Sequence, residues 1–167
     1  MASVRLTSLT GLESFLRVLS RSSTVHDLNN RAGKAMVEEV NRGFVQERAP
    51  DGTPWIPSRA AQREGRKTLH KSGRLQNSIT WLADTRGVIL KTTGAANKYA
   101  DIHQYGGTRV NHHGASGRFA RRSKSVRTSS SSIPARPFLP GTNLPPSYKK
   151  AINKDVIRYM RERFGFS

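Results

Sequence analysis

The chain has 167 residues, 35% of them hydrophobic, no cysteine and a formal net charge of +18. One domain with a modest core fits that length and composition, with part of the chain left over as loop or arm. Lack of cysteine excludes disulfides, thiolate metal sites and a cysteine nucleophile, no apolar run is long enough to cross a membrane, and the positive excess calls for an acidic partner.

Residues 1–23 read as a helical arm. Leu9, Leu12, Phe15, Leu16 and Leu19 recur at helical spacing, and Ser8 or Thr10 precedes them as a cap. Glu13 and the want of a long apolar stretch argue against a signal peptide. The stripe suits core packing, or a partner if RSSTVHD lets the helix move. A second helix is expected from Thr24, which with Asp27 resembles a capping box. Leu28, Ala32, Ala35, Met36, Val40 and Phe44 share one arc, which Glu39 interrupts. Pro50 disfavours helical geometry at Ala49, so the helix should end near Arg48.

Pro50-Asp51-Gly52 is turn chemistry, and Pro54 and Pro57 extend the break. Trp55 within it either plugs the core edge or makes an exposed contact; the usual burial of indoles favours the plug. SRAAQREGRKTLHKSG is basic and lacks an apolar face, which predicts a short helix and then a mobile link. Ser72 is placed to cap a short helix running through Leu75 to Ile79. From Ile79 the residues alternate, Thr85-Arg86-Gly87 turns, and Val88 to Thr92 returns, which predicts a hairpin needing a partner layer. Tyr99 to Tyr105 reads as a short helix or turn ended by Gly106-Gly107.

Residues 108–132 lack a pattern that folds alone and are expected as a long loop or β-excursion. They carry Arg118, Arg121, Arg122, Lys124 and Arg127 around Phe119, a cluster suited to phosphate contacts or to an acidic neighbouring protein. Ile133 to Leu139 reads as an edge or end strand because its prolines remove ladder donors. A final helix over 145–164 starts at Pro145-Pro146, with Tyr148, Ile152, Val156, Tyr159 and Met160 on one side. No acidic residue falls between Asp101 and Asp155, whereas Glu13, Asp27, Glu38, Glu39, Glu47 and Asp51 lie in the first half. That segregation suits contact between opposite ends of like subunits.

Catalytic signals are weak. His103, His112 and His113 are too few and too badly spaced for zinc, and no carboxylate lies near them in sequence. No Gly-x-Ser-x-Gly elbow and no phosphate loop after Gly106-Gly107 are present. No catalytic residue, metal or cofactor is expected. A stand-alone nucleic-acid-binding protein remains a second reading and a hydrolase a distant third.

Four segments appear in order: Phe44 with Pro50-Asp51-Gly52, Trp55 and Pro57; Leu69-His70-Lys71-Ser72-Gly73-Arg74-Leu75 with Ser78-Ile79; Tyr99-Ala100, Ile102-His103-Gln104 and Gly106-Gly107; and Pro134-Ala135-Arg136-Pro137-Phe138-Leu139. Together they resemble the phage virion morphogenesis family, the tail completion proteins of Mu-like and related tailed phages. The resemblance runs over about residues 25–160. It implies a single tail-completion domain over 1–167 and a non-enzymatic role in finishing the tail end and joining tail to head. It is also similar to the neck and tail-terminator proteins. Those imply an α+β fold: a small antiparallel sheet, here from residues near 78 to 140, packed by two N-terminal helices and a C-terminal one.

The implied partners are further copies in a ring, hexameric in many such proteins, a head–tail connector or neck protein, the tail tube protein and packaged DNA, with no membrane. The implied location is the virion neck, reached from the host cytoplasm. On this resemblance Trp55, His70, Ser72, Gly73, Leu75, Tyr99, Ile102, His103, Gln104, Gly106, Gly107, Arg136 and Phe138 shape turns and subunit contacts.

Overall fold

A long helix, α1 (Ser22–Gln46), carries the core on one face. The computed structural model describes residue 13, residues 16–113 and residues 127–164. Of the expected first helix, Glu13 and residues 16–19 are helical, and the remainder lies outside the described residues. Helix α1 begins two residues before Thr24, so the expected Thr24–Asp27 capping box does not form. Thr24 is buried within the first turn, and Asp27 instead accepts a hydrogen bond of 3.4 Å from the Tyr159 hydroxyl. Glu47 ends the helix in the left-handed region, φ 54°, with its N–H turned back to Gly43 and Phe44 carbonyls.

The arc is buried at Ala35, Met36, Val40 and Phe44, with Leu28 and Ala32 half-buried. Glu39, the break in that arc, is also buried; Arg42 donates to its carboxylate at 2.6 Å. A paired acid costs far less inside than a bare one. Burial, followed by the field of Glu39, pushes the nearby Tyr148 phenol well above its ordinary range.

After the Pro50 turn come α2 (Arg59–Glu64) and α3 (Arg74–Asn77). Ser58 caps α2 by accepting from the Ala61 N–H, and Gly65 closes it at φ 60°. The expected Ser72 cap of α3 is absent: Gly73 occupies that place at φ 69° and Ser72 is exposed. Nor is the segment before it a free link. Thr68 is buried, its N–H donates to Glu47 at 2.5 Å, and Lys67 donates to the Val45 carbonyl at 2.7 Å.

Strands β1 (Ile79–Ala83) and β2 (Val88–Thr92) pair antiparallel, with Trp81 opposite Leu90. Asp84 makes the turn, accepting from the backbone of Arg86 and Gly87. The hairpin lies on α1, where the Trp81 indole donates to Asn30 at 2.7 Å and covers Gly33. A Cβ at Gly33 would stand 2.2 Å from Trp81 Cδ1, so this helical glycine exists to admit the ring.

A 3₁₀ turn at Gly94–Ala96 then feeds α4 (Asn97–Tyr105), closed by Gly106 at φ 76°. Strands β3 (Gly107–His113) and β4 (Arg127–Ile133) pair antiparallel, so the expected excursion is a β-ribbon at its base. Its middle, with Arg118, Arg121, Arg122 and Lys124, lies outside the described residues.

The fold is α+β, yet the single sheet expected between residues 78 and 140 is two separate two-stranded sheets. Positive φ at Gly94 and the helix that follows turn the chain away from β2. Residues 134–139 do not form a strand: Pro134 and Pro137 offer no N–H, and the Arg136 N–H is taken by the His103 carbonyl at 2.7 Å. Helix α5 (Pro146–Phe164) packs along α1, with Tyr148 and Tyr159 buried and Arg31 over the Tyr159 ring at 4.4 Å.

Trp55 is a plug. Its ring meets Phe44 edge-on at 5.2 Å, Phe44 meets Phe138 at 5.7 Å, and the indole N–H donates to the Pro137 carbonyl at 2.8 Å. Trp55→Ala is expected to destabilise the fold by about 3–5 kcal/mol, read as a lowered denaturant midpoint. An unchanged midpoint would show that the ring contributes nothing to the core.

Candidate functional site

The motif residues converge around α4 and the segment 134–139. Gln104 is the clamp. Its side-chain oxygen accepts from the N–H groups of Phe138 and Leu139, both at 3.0 Å, and its amide donates to the Leu139 carbonyl at 3.0 Å. In this way one glutamine side chain stands in for the neighbouring strand that residues 138–139 lack. Gly106 sits beside the clamp, where a Cβ would lie 2.9 Å from the Ala135 nitrogen in a left-handed backbone. A Cβ on Gly107 would come within 3.2 Å of Ile102 Cγ1.

Arg136 is only 4% exposed. Its Nε donates to the Ile56 carbonyl at 2.6 Å and one terminal nitrogen reaches the Pro134 carbonyl at 3.5 Å. Among the described residues no carboxylate pairs with it. Burial lowers its pKa. Beside it, His103 stacks edge-on against Tyr99 at 6.0 Å, and its Nδ1 is buried without a hydrogen-bond partner. Burial, then the Arg136 charge, pushes the imidazole below its ordinary range.

These groups face a cavity of about 520 Å³, whose wall includes Leu69, Lys71, Ser72, Tyr99, His103 and Arg136. Arg66 and Glu64 also line it, paired with each other, and that hydrogen bond holds Glu64 below the usual carboxylate range. Gly73, Arg74 and Leu75 form its far edge. Three of the four motifs therefore meet at one hollow.

Other members of the expected set stand elsewhere. Trp55 and Phe138 belong to the core, as does Leu75 on its inner side. Ile102 is half-buried, whereas His70 and Gly107 are exposed and outside the cavity wall. Arg127 opens β4 opposite His113. No group of three metal-ligating side chains comes together among the described residues. The sequence reading passed over Ser58 and Thr68, and quoted Lys71 and Arg74 within a motif without assigning them a contact; Ser58 carried a local signal, as a serine after Pro57 and before a helix-tolerant run.

The acids of the first half are less available than their spacing suggests. Glu39 pairs with Arg42, Glu47 receives the Thr68 N–H, and Asp27 receives the Tyr159 hydroxyl. Asp51 accepts from the Thr53 N–H, which holds its carboxyl below the usual range.

Gln104→Leu keeps the bulk and strands two N–H groups and a carbonyl. The expected cost is about 2–4 kcal/mol in a denaturant melt, since each buried orphan costs about 1–3 kcal/mol and some regain water. A loss no larger than that of a surface substitution would refute the clamp.

His103 gives a pH signature. Its folded pKa lies below the unfolded value of 6.5, so its contribution is complete above about pH 6.5 and is lost as pH falls through the folded value. Stability measured from pH 7.5 to 5 should fall, and fall less in His103→Gln. Parallel profiles would contradict this.

The sequence model of the phage virion morphogenesis family matches residues 8–161. No curated protein and no solved structure gives a significant match to the chain.

Proposed function

The chain belongs to the phage virion morphogenesis family, and from that premise we propose that it is a structural ring subunit that completes the tail end and joins tail to head at the neck. Membership makes it a protein of phage particle assembly; the ring, the neck and the tail end are our reading. The role is structural, not catalytic, because the motif residues hold turns, core and one polar hollow instead of an acid–base pair.

The observation that carries this reading is the ribbon. Strands β3 and β4 pair with each other, and among the described residues no other helix or strand makes more than slight contact with them. A lone two-stranded ribbon is marginal in water. A neighbouring copy supplies the layer it lacks, and a head-to-tail contact of that kind closes into a ring when the rotation allows. Leu82 and Ile89, directly opposite in the first hairpin, are both exposed and offer that neighbour a second, apolar contact. The partners that follow are further copies, six in the simplest neck ring, a connector or neck protein above and the tail tube below.

The positive excess supports a further element of the reading. The basic run between β3 and β4 suits in charge an outside acid, either packaged DNA or an acidic neck protein. No helix among the described residues is long and apolar enough to cross a membrane.

Particles assembled without the protein should yield filled heads and separate tails by electron microscopy, with infectivity lost. Joined, infectious particles would overturn the reading. If such particles form and the isolated chain binds duplex DNA with a steep salt dependence, the nucleic-acid-binding alternative takes its place.

A further inference from the structure

We propose that the hollow between α4, the 69–75 segment and Arg136 is a docking pocket for an acidic segment of a partner protein, with a partner carboxylate seated between Arg136 and His103. The proposal rests on the assembly role above and names the chemistry of one joint in it.

A guanidinium buried to this extent normally has a carboxylate beside it, because an uncompensated buried charge is costly. Arg136 has backbone carbonyls on one side and no acid among the described residues. His103 is half-buried, but its Nδ1 is buried and has no hydrogen-bond partner among the described residues. An orphaned buried polar atom requires an explanation. His103 and Arg136 line the same cavity, and the exposed Lys71 and Arg74 line it with them. One planar carboxylate answers both: it accepts from the free edge of the guanidinium and from the Nδ1–H tautomer of the neutral imidazole.

The remaining wall selects the kind of anion. Leu69, Leu75 and Tyr99 provide apolar surface beside the charges. A cavity of about 520 Å³ holds an acidic side chain together with an apolar neighbour, and is much larger than a lone phosphate needs. A duplex backbone, with its bulky sugars, suits a recessed hollow poorly and a basic ribbon well. The observations therefore favour an acidic protein segment over nucleic acid here. Glu64 does not oppose it, being tied to Arg66.

The probe is acetyl-Leu-Glu-Glu-Leu-amide, titrated into the full-length chain while the His103 ring signals are followed by NMR. Saturable shifts are expected, with affinity at least tenfold weaker for the Gln-for-Glu peptide. Arg136→Gln should abolish binding. Because that variant risks the fold, the double variant Lys71→Ala/Arg74→Ala, exposed at both positions, should weaken binding several-fold with an unchanged melting curve. Equal binding of the neutral peptide, or no response at His103, would overturn the pocket. A stronger response to inorganic phosphate or to a 12-bp duplex would replace it with a phosphate site. Failure of peptide binding leaves the assembly role intact, whereas normal particles made without the protein would remove that role whatever the peptide does.

Discussion

Phe138 reaches Phe44 only because Gln104 holds the backbone that carries it. Residues 134–139 have two prolines, no strand beside them and a bulky aromatic to deliver into the core. Three hydrogen bonds from a single side chain fix Phe138 and Leu139, and the His103 carbonyl fixes Arg136. Once Phe138 is seated, Trp55 closes over Phe44 and donates to Pro137. The turn after α1 is thereby tied to the segment before α5, more than eighty residues away in sequence. Helix α4 thus acts as a bracket, which explains the glycine that closes it: a Cβ at Gly106 would collide with the segment being held, and one at Gly107 would press on Ile102 of the helix itself.

The elements with a strong local signal were legible. Helix α1, the first hairpin, α4 and α5 follow from periodicity, turn residues and proline placement, and the Trp55 plug from the habits of indoles. What failed was local chemistry overruled by distant contacts. Thr24 and Asp27 have the spacing of a cap, yet Tyr159 draws Asp27 toward α5 and the helix starts earlier. Ser72 precedes a helix, yet the left-handed Gly73 takes the cap position. Residues 134–139 have strand composition, yet their hydrogen bonds go to a side chain and a helix terminus, which no pattern along the chain can reveal.

The hollow was half legible. His103, Tyr99, Ser72 and Arg136 were singled out through the motifs, but nothing in the sequence says that an arginine between two prolines is buried. Lys71 and Arg74 stood in the second motif without a role. Their meaning depends on Arg136 lacking an acid, and that is a fact of three dimensions. Glu39 shows the converse: a charge that spoils an apolar arc on paper is tolerated because Arg42, one turn later, reaches back to it.

Charge and burial together bear on why such a chain would be left incomplete. Only 11 acids face 29 lysines and arginines, and several of the acids are engaged internally. A protein meant to be finished as a monomer would have paired Arg136, as it paired Arg42 and Arg158. It would also have covered a polar ribbon, or omitted it. Leaving a buried cation without an acid stores a cost in the free subunit, which a partner's carboxylate relieves on docking. The same logic holds at the ribbon, which among the described residues has no covering layer and which the proposed assembly would complete. Both features make the isolated chain less comfortable than the assembled one. For a joint in a particle, as proposed above, that is a useful bias, because subunits so built gain stability when they assemble.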